Sequence, residues 1–212
     1  MASYPRPTSA QERRLKFSLR DKKRGKRVNP PGQHGDKRHR VSPFLAALQE
    51  KQKIRFLYGL RERQLLNLFI KLSQKKESNK ILVVCESFLV NVLFASKWFK
   101  SRLHARQQIA HGHIKVITSS TAPEEKPAKV ERVKSASYHL KPGQVISFWE
   151  KEIAENGLIK PNLEREEKLP GYLSVDKHKL TITYLREPTP EEVERKINLG
   201  SVIELYSRKR AK

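Results

Sequence analysis

The side chains best suited to ligand chemistry are concentrated in Ser101–Val116, which has the sequence SRLHARQQIAHGHIKV. Arg102 and Arg106 stand four positions apart, so they fall on the same side of a helix. Each guanidinium carries several N–H donors in a fixed fork, which matches a phosphate better than the mobile charge of lysine does. A rigid unit with two such groups on one side suits a phosphate backbone. An ordinary amphipathic helix with solvated arginines would have the same pattern in this window. The choice between a phosphate-binding unit and such a helix therefore depends on the rest of the chain.

The predicted elements that hold these groups are a short helix and a strand. Ser101 is of a residue type that caps a helix N-terminus, and Gly112 stands where a left-handed residue would end that helix. Ile114 and Val116 then alternate with polar residues, as in a half-buried strand. The window is therefore predicted to form a helix–turn–strand unit that fixes its cations in place.

The charge of the whole chain favours a polyanionic partner. The 212 residues include 45 Lys or Arg against 22 Asp or Glu, which gives a formal net charge of +23. An isolated domain with such an excess repels itself, and a nucleic acid would compensate it. A membrane surface is the alternative, but the longest aliphatic run is Ile81–Cys85, far shorter than the ~18 apolar residues of a spanning helix. Nucleic acid is the favoured partner, and no membrane is expected.

Cysteine and histidine usage predicts neither a metal site nor a cofactor. Cys85 is the only cysteine, which excludes an intramolecular disulfide, and its apolar neighbours predict a buried thiol rather than a nucleophile. His111 and His113 have no cysteine nearby to complete a tetrahedral metal site. The chain also has no Gly-rich phosphate loop and no nucleophile–base pair, so an enzyme is not expected.

The beginning of the chain predicts an extended basic arm over residues 1–41. Residues 1–40 hold thirteen Lys or Arg and three acidic residues, and they show no hydrophobic period. A segment of this composition becomes ordered only on a partner. Its Arg- and Ser-rich, acid-poor composition also fits an organellar transit peptide, and the sequence leaves that alternative open.

Helical patterns begin after the arm. Ser42 followed by Pro43 predicts a helix start, and Gly59 predicts the end of that helix. A second helix is predicted over residues 61–72, and a third carries its apolar face over residues 85–93. These apolar stripes indicate core packing rather than a ligand site.

Strand patterns follow the helices. Short strands are predicted at residues 114–116, 130–133, 144–148, 172–175, 180–184 and 201–206, of which 172–175 and 180–184 form a hairpin. A polar loop at 119–128 separates the first two strands, and Thr189–Glu192 has the pattern of a capping box.

Several short motifs occur in an order that one known family shares. They are Pro31–Gly35, Gln49–Arg55, Tyr58–Gln64, Ala105–Gln107, His111–Val116, Ser137–Tyr138, Lys141–Gly143 and Glu204–Arg208. In this order and spacing the chain resembles the small-subunit ribosomal protein S4 family of the bacterial and organellar type, from about residue 30 to the C-terminus. The segment YGLRERQLL at residues 58–66 resembles plastid members more closely, so a plastid is favoured over a bacterium or a mitochondrion.

The resemblance implies an α+β fold with three parts. Residues 1–41 are the basic arm, and 42–84 with 150–212 form a mostly helical rRNA-binding domain with a small terminal β-element. Residues 85–149 form an inserted RNA-binding module of helices and a small antiparallel sheet. The implied protein is a non-enzymatic constituent of the small ribosomal subunit. It binds small-subunit ribosomal RNA early in assembly, beside neighbouring ribosomal proteins and without a cofactor.

The resemblance also assigns site residues. The implied rRNA-facing positions are Ser101, Arg102, Arg106, Gln107, His111, His113 and Lys115. Lys37, Arg38 and Arg40 stand where family members line the entrance for messenger RNA with basic residues. No catalytic residue and no metal ligand is implied.

The chain departs from the family pattern in three respects. Phe88–Val90 replaces an Arg-Leu-Asp triplet, and the 119–128 loop replaces an Asn-Gly turn. No cysteine precedes Cys85, so the zinc-binding N-terminus of some relatives is not expected. A free-standing RNA-binding or stress protein would share the module and the charge, and it is the alternative function. Enzymes that carry the module need a separate catalytic domain, for which the flanks here are short.

Aromatic rings offer a second way to bind RNA, because exposed rings stack on unpaired bases. The candidates are Trp98, Phe99, Phe148 and Trp149, which adjoin residues with the periodicity of a core. Aromatic residues make up only 8% of the chain, so packing in the core is favoured for all four. Recognition of RNA through phosphates and 2′-hydroxyls is expected instead.

Overall fold

The structure, a computed structural model, describes residues 9–19, 42–118, 129–150, 169–193 and 197–210. These residues contain seven α-helices: α1 (Ser9–Leu15), α2 (Pro43–Tyr58), α3 (Glu62–Gln74), α4 (Ile81–Glu86), α5 (Leu89–Ala95), α6 (Arg102–Ala110) and α7 (Leu199–Arg210). They also contain five strands: β1 (Ile114–Thr118), β2 (Lys129–Arg132), β3 (Gln144–Phe148), β4 (Leu173–Asp176) and β5 (Thr181–Tyr184). A 3-10 turn at Ser78–Lys80 leads into α4.

The two ends of α2 follow from local residue types. Ser42 is extended, and its hydroxyl accepts the N–H of Leu45 at 3.2 Å. Pro43 takes the first helical position, where its missing N–H removes no helical hydrogen bond. Gly59 ends the helix with φ 62°, a left-handed conformation that glycine adopts without steric cost. Both predicted boundaries are confirmed.

The chain divides into two compact units, Met1–Leu82 with Arg195–Lys212 and Val83–Glu194. In the first unit, α7 packs against α2 and α3. Phe69 of α3 stacks on Tyr206 of α7, with ring centroids 4.8 Å apart. The described core of this unit is therefore built from helices.

The prediction that residues 1–41 are extended is wrong for their described part, because Ser9–Leu15 is helical. Leu15 and Leu19 are buried, and α1 packs against α2. Burial of these two leucines therefore orders residues 9–19 without an RNA partner.

The prediction of a terminal strand at residues 201–206 is wrong, because Leu199–Arg210 is helical. Val202 and Tyr206 are both buried, one helical turn apart. A strand would place Glu204 on the same face as these two residues, whereas the helix leaves Glu204 exposed. The expected terminal β-element is therefore a helix, because this arrangement keeps the carboxylate out of the core.

The prediction of one continuous helix over residues 85–93 is also wrong, because α4 and α5 are separate helices. Phe88 lies between them in an extended conformation, with φ −70° and ψ 140°, and forms a β-bridge with His139. The N–H of Leu89 donates to the carbonyl of Tyr138 at 2.8 Å. Pairing with a segment far along the chain therefore interrupts the helix.

The second unit contains one antiparallel sheet with the strand order β2-β1-β3-β5-β4. The last two strands form the predicted hairpin, and Ile182 of β5 pairs with Ile146 of β3. The sheet that holds β1 to β3 also includes these two later strands, which follow residue 149, the last residue that the resemblance assigns to the RNA-binding module. They belong to the sheet because Ile182 and Tyr184 are fully buried in its core.

Helices α5 and α6 contribute to the same core as the inner face of this sheet. Its fully buried residues include Leu89, Leu93, Ile109, Ile114, Val116 and Ile146. Trp98 stacks on Phe148 with ring centroids 4.9 Å apart. Helices combined with an antiparallel sheet confirm the predicted α+β class. Among the described stretches, no helix is both long and apolar enough to span a membrane.

Candidate nucleic-acid interface

The predicted helix–turn–strand unit is present as α6, a turn at residues 111–113 and β1. Ser101 is the N-cap of α6, because its hydroxyl accepts the N–H of His104 at 3.2 Å. Gly112 has φ 76°, and its N–H donates to the carbonyl of Ile109 at 2.8 Å. The predicted start and end of the helix are confirmed.

One side of α6 is fixed in the core, and this decides where its polar side chains lie. Ala105 and Ile109 are fully buried beneath the helix. Arg102 and Arg106 are half-buried and share another side, and Gln107 is exposed. The two guanidinium groups therefore lie at the border of the core, where packing restricts their rotamers.

Arg102 is held in place by two contacts to α5. Its Nε donates to Oδ1 of Asn91 at 3.0 Å, and its Cζ lies 4.3 Å from the centroid of the Phe94 ring. Asn91 is fully buried and donates from its Nδ2 to the carbonyl of Cys85. A side chain that is fixed in this way loses less entropy when it contacts an anion, so Arg102 is preorganised for binding.

The turn and β1 place histidine and lysine side chains beside the helix. His111 is exposed and His113 half-buried, and their ring centroids are 5.7 Å apart. Lys115 of β1 pairs with Arg132 of β2 in the sheet register, so their side chains share a face of the sheet. All seven predicted rRNA-facing positions therefore follow one another along α6, the turn and β1.

Arg132 is a cation at this site that sequence patterns did not assign. Its Nε donates to the carbonyl of Gly112 at 2.7 Å, and its Cζ lies 5.1 Å from the centroid of the Trp149 ring. The strand around Arg132 was predictable, but its contact to Gly112 joins residues 20 positions apart. A local pattern carries no information on such a pairing.

His104 lies on α6 but does not add a charge at neutral pH. Burial lowers the pKa of His104, and the charge of Lys100 lowers it further. Its ring meets Phe99 edge-on, with centroids 5.2 Å apart. His104 is therefore a neutral packing residue between the cations of this helix.

The one cysteine is a buried core residue, as predicted. Burial raises the pKa of the Cys85 thiol far above its usual range, and the neighbouring Glu86 carboxylate adds to the rise. The thiol therefore stays protonated and is a poor nucleophile. Across the described stretches, no group of three or more His, Cys, Asp or Glu residues is placed to hold a metal ion.

The other predicted site lies elsewhere in the chain. Lys37, Arg38 and Arg40 are outside the described residues, as is the 119–128 loop. The assignment of these three cations to the entrance for messenger RNA stays a prediction.

Comparison with known proteins adds an independent observation. The family model described as the ribosomal protein S4/S9 N-terminal domain matches residues 3–87. The small ribosomal subunit protein uS4 of a Geobacillus species is 38% identical, over 98% of this chain and 100% of that protein. The uS4 protein of Geobacillus thermodenitrificans is 38% identical with the same coverage. That of Phytoplasma australiense is 34% identical, again over 98% of this chain and 100% of that protein.

Proposed function

This chain belongs to the small ribosomal subunit protein S4 family, and on that premise we propose how it acts in the subunit. It is a structural protein of the small ribosomal subunit and not an enzyme. We propose that it binds small-subunit ribosomal RNA early in assembly through α6, β1 and β2. We further propose that its basic arm reaches the entrance for messenger RNA and that neighbouring ribosomal proteins surround it.

The rRNA proposal is carried by a set of four cations on rigid elements, which we call the cationic row: Arg102, Arg106, Lys115 and Arg132. The first two share a side of α6, and the other two pair across β1 and β2. Cations in fixed positions contact the phosphates of a folded RNA and set its orientation. Exposed Gln107 lies beside the row on α6 and can hydrogen-bond a 2′-hydroxyl.

The salt dependence of RNA binding tests this proposal. Arg106→Ala should lower the slope of log affinity against log salt by ~0.7–0.9, because one phosphate contact is lost. The affinity is measured by filter binding of a small-subunit rRNA transcript at several salt concentrations. Lys179→Ala is the matched control, since it removes one exposed cation from the turn between β4 and β5 of the same unit. An unchanged slope for Arg106→Ala would remove Arg106 from the interface, whatever happens to the affinity itself.

The messenger RNA proposal rests on the position of Lys37, Arg38 and Arg40 in the chain. These three cations lie within four residues, shortly before the capped start of α2 at Ser42. A short segment that leads into a helix holds its charges at a lower entropic cost than a free tail does. Contacts to the sugar–phosphate backbone read no base, so a single strand can slide past them. A structural contact of these residues to rRNA is the alternative.

The location and the binding to the subunit can be tested together. The relatives named above are bacterial, so they give no support to the plastid prediction, which rests only on residues 58–66. A bacterial-type ribosome is the location we propose. A tagged protein should sediment with small subunits after a high-salt wash. Complete release by the wash would contradict the proposed direct binding to small-subunit rRNA.

A further inference from the structure

Trp149 differs from the other large rings of the second unit in its exposure. Its exposed fraction is 40%, whereas Trp98, Phe99 and Phe148 are each 2% exposed. The core therefore takes up three of the four rings that the sequence assigned to packing and leaves Trp149 at the surface. For Trp149 the expectation of core packing is wrong, because side chains alternate along β3 and Phe148 is on the buried face, so Trp149 lies on the opposite face of the sheet.

The indole of Trp149 is held in position beside the cationic row. Its backbone N–H donates to the carbonyl of His113 at 2.8 Å, which continues the ladder between β1 and β3 by one residue. The guanidinium of Arg132 reaches across the start of β1, and its Cζ lies 5.1 Å from the ring centroid. The hydrogen bond from this guanidinium to the carbonyl of Gly112 fixes it there. Ring and cation are thus preorganised as a pair.

One further cation and two histidines adjoin this pair, and the exposed Glu150 follows Trp149 in the chain. Lys115 lies opposite Arg132 on the same face of the sheet, and His111 and His113 lie in the adjacent turn. An exposed indole presents a flat π-surface on which any nucleobase can stack, and a neighbouring guanidinium adds stacking and charge. In a duplex the faces of the bases are covered by their neighbours, so this combination suits a base that is unpaired and unstacked.

We propose that Trp149 and Arg132 form a stacking site for an unpaired nucleotide of the bound RNA. The inference rests on the proposed RNA-binding function and specifies the class of nucleotide that this part of the surface takes. The indole stacks on the base, and the nearby cations contact the flanking phosphates. The site adds a contact to single-stranded RNA that the phosphate contacts of the cationic row do not supply.

Tryptophan fluorescence tests the contact directly, because the chain has two tryptophans and Trp98 is buried. The probes are a short oligoadenylate and a blunt-ended RNA duplex of the same length. Stacking of adenine should quench the emission of the wild type with the oligoadenylate and not with the duplex. In Trp149→Phe the remaining emission comes from Trp98 and should not change with either probe. Equal quenching in this variant, or none in a wild type that binds the oligoadenylate, would overturn the stacking site.

Affinity measurements separate stacking from an indirect effect on Arg132. Trp149→Ala and Trp149→Leu should each lower the affinity for oligoadenylate roughly 5- to 150-fold, while Trp149→Phe keeps most of it. The salt slope should stay at the wild-type value in all three variants, because no phosphate contact is removed. A lower slope in Trp149→Leu would overturn the proposal, since it would show that the ring only positions Arg132. Unchanged affinity in all three variants would overturn the proposal as well. The exposed ring would then be assigned to a contact with a protein neighbour.

A failure of the inference is distinguishable from a failure of the proposed function. If the wild type binds neither the small-subunit rRNA transcript nor the oligoadenylate, RNA binding itself is contradicted. If it binds both and the Trp149 variants behave like the wild type, only the stacking site is contradicted. Thermal unfolding of each variant excludes loss of the fold, which is expected to persist because Trp149 lies outside the described core cluster of this unit.

Discussion

At Gly112 the backbone has φ 76°, and a Cβ atom there would lie 2.8 Å from Nε of Arg132. The carbonyl of the same glycine accepts a hydrogen bond from Nε–H of Arg132, with the two heavy atoms 2.7 Å apart. A side chain at this position would therefore strain the backbone and push Arg132 away from its acceptor. Glycine at this position therefore favours both the turn after α6 and the close approach of a cation.

Alanine substitutions at two glycines separate these effects. Gly143 has φ 85°, and a Cβ there meets nothing within 4 Å, so Gly143→Ala carries the backbone strain alone. Both Gly112→Ala and Gly143→Ala should lower the free energy of unfolding by ~1–2 kcal/mol in urea denaturation. Gly112→Ala should also reduce the salt slope of RNA binding, because Arg132 is displaced, while Gly143→Ala keeps it. If Gly112→Ala retained the wild-type slope, Arg132 would not contact a phosphate.

Single residues of the site differ in how far sequence could predict them. Arg102 and Arg106 were found because a helical period places residues four apart on one side. Asn91 and Arg132 were not, since their hydrogen bonds to the site join residues 11 and 20 positions apart. The exposure of Trp149 follows from the register of β3, which buries Phe148 and places the next side chain on the other face, whereas the composition of the chain favoured burial. Contacts between elements depend on how those elements pack, and local patterns in a single sequence give no information on this packing.

At the scale of elements, two roles of Ser101 have to be distinguished, a contact to RNA and the capping of a helix. Resemblance places it among the rRNA-facing residues, and the structure uses its hydroxyl as the N-cap of α6. Ser42 caps α2 with the same geometry, since both hydroxyls accept a backbone N–H at 3.2 Å. A loss of RNA affinity in a Ser101 variant therefore has to be compared with the effect on the helix start.

Three substitutions make this comparison. Ser101→Ala should lower the free energy of unfolding by ~1 kcal/mol, and Ser42→Ala should cost about the same. Ser101→Asn should keep the stability, because asparagine caps a helix as well as serine does. Stability is followed by urea denaturation and RNA affinity by filter binding. If Ser101→Asn were stable but bound RNA more weakly, the hydroxyl itself would contact the RNA.

The elements that sequence patterns misassigned are short apolar runs. A run such as residues 201–206 fits a strand or a buried helix, and its periodicity does not separate the two. The helix allows Tyr206 to stack on Phe69 and leaves Glu204 exposed. The longer α2 and α3 were predictable, because caps and a helical period mark them independently of their partners.

At the scale of the whole molecule, charge predicts the class of partner but not its position. The net charge of +23 over 212 residues favours a polyanionic partner, and membership of a ribosomal protein family agrees with that. The cationic row accounts for only four of the 45 Lys and Arg residues. Further cations of the chain, those of the basic arm among them, are therefore available for other parts of the RNA.

The basic arm offers a comparison between two clusters of equal charge. Lys37, Arg38 and Arg40 lie close to the capped start of α2, and Lys22, Lys23 and Arg24 lie further towards the N-terminus. Each cluster contributes three positive charges, within four residues in the first and within three in the second, so replacing either one by alanine changes the net charge equally. The clusters differ by one Lys–Arg exchange and in their position along the chain, and it is the position that the messenger RNA proposal uses.

Replacement of Lys37, Arg38 and Arg40 by alanine should leave small-subunit assembly normal and slow translation of messengers with stable secondary structure. The reason is that these cations bind the backbone of the entering single strand while its secondary structure is opened, and this contact is lost with the three charges. Assembly is measured by sucrose-gradient sedimentation, and translation by comparing structured with unstructured messengers. The variant with alanine at Lys22, Lys23 and Arg24 should translate both messengers at the same relative rate as the wild type. Poor assembly of the first variant would assign its cations to rRNA, and normal translation of structured messengers would equally contradict the messenger RNA proposal.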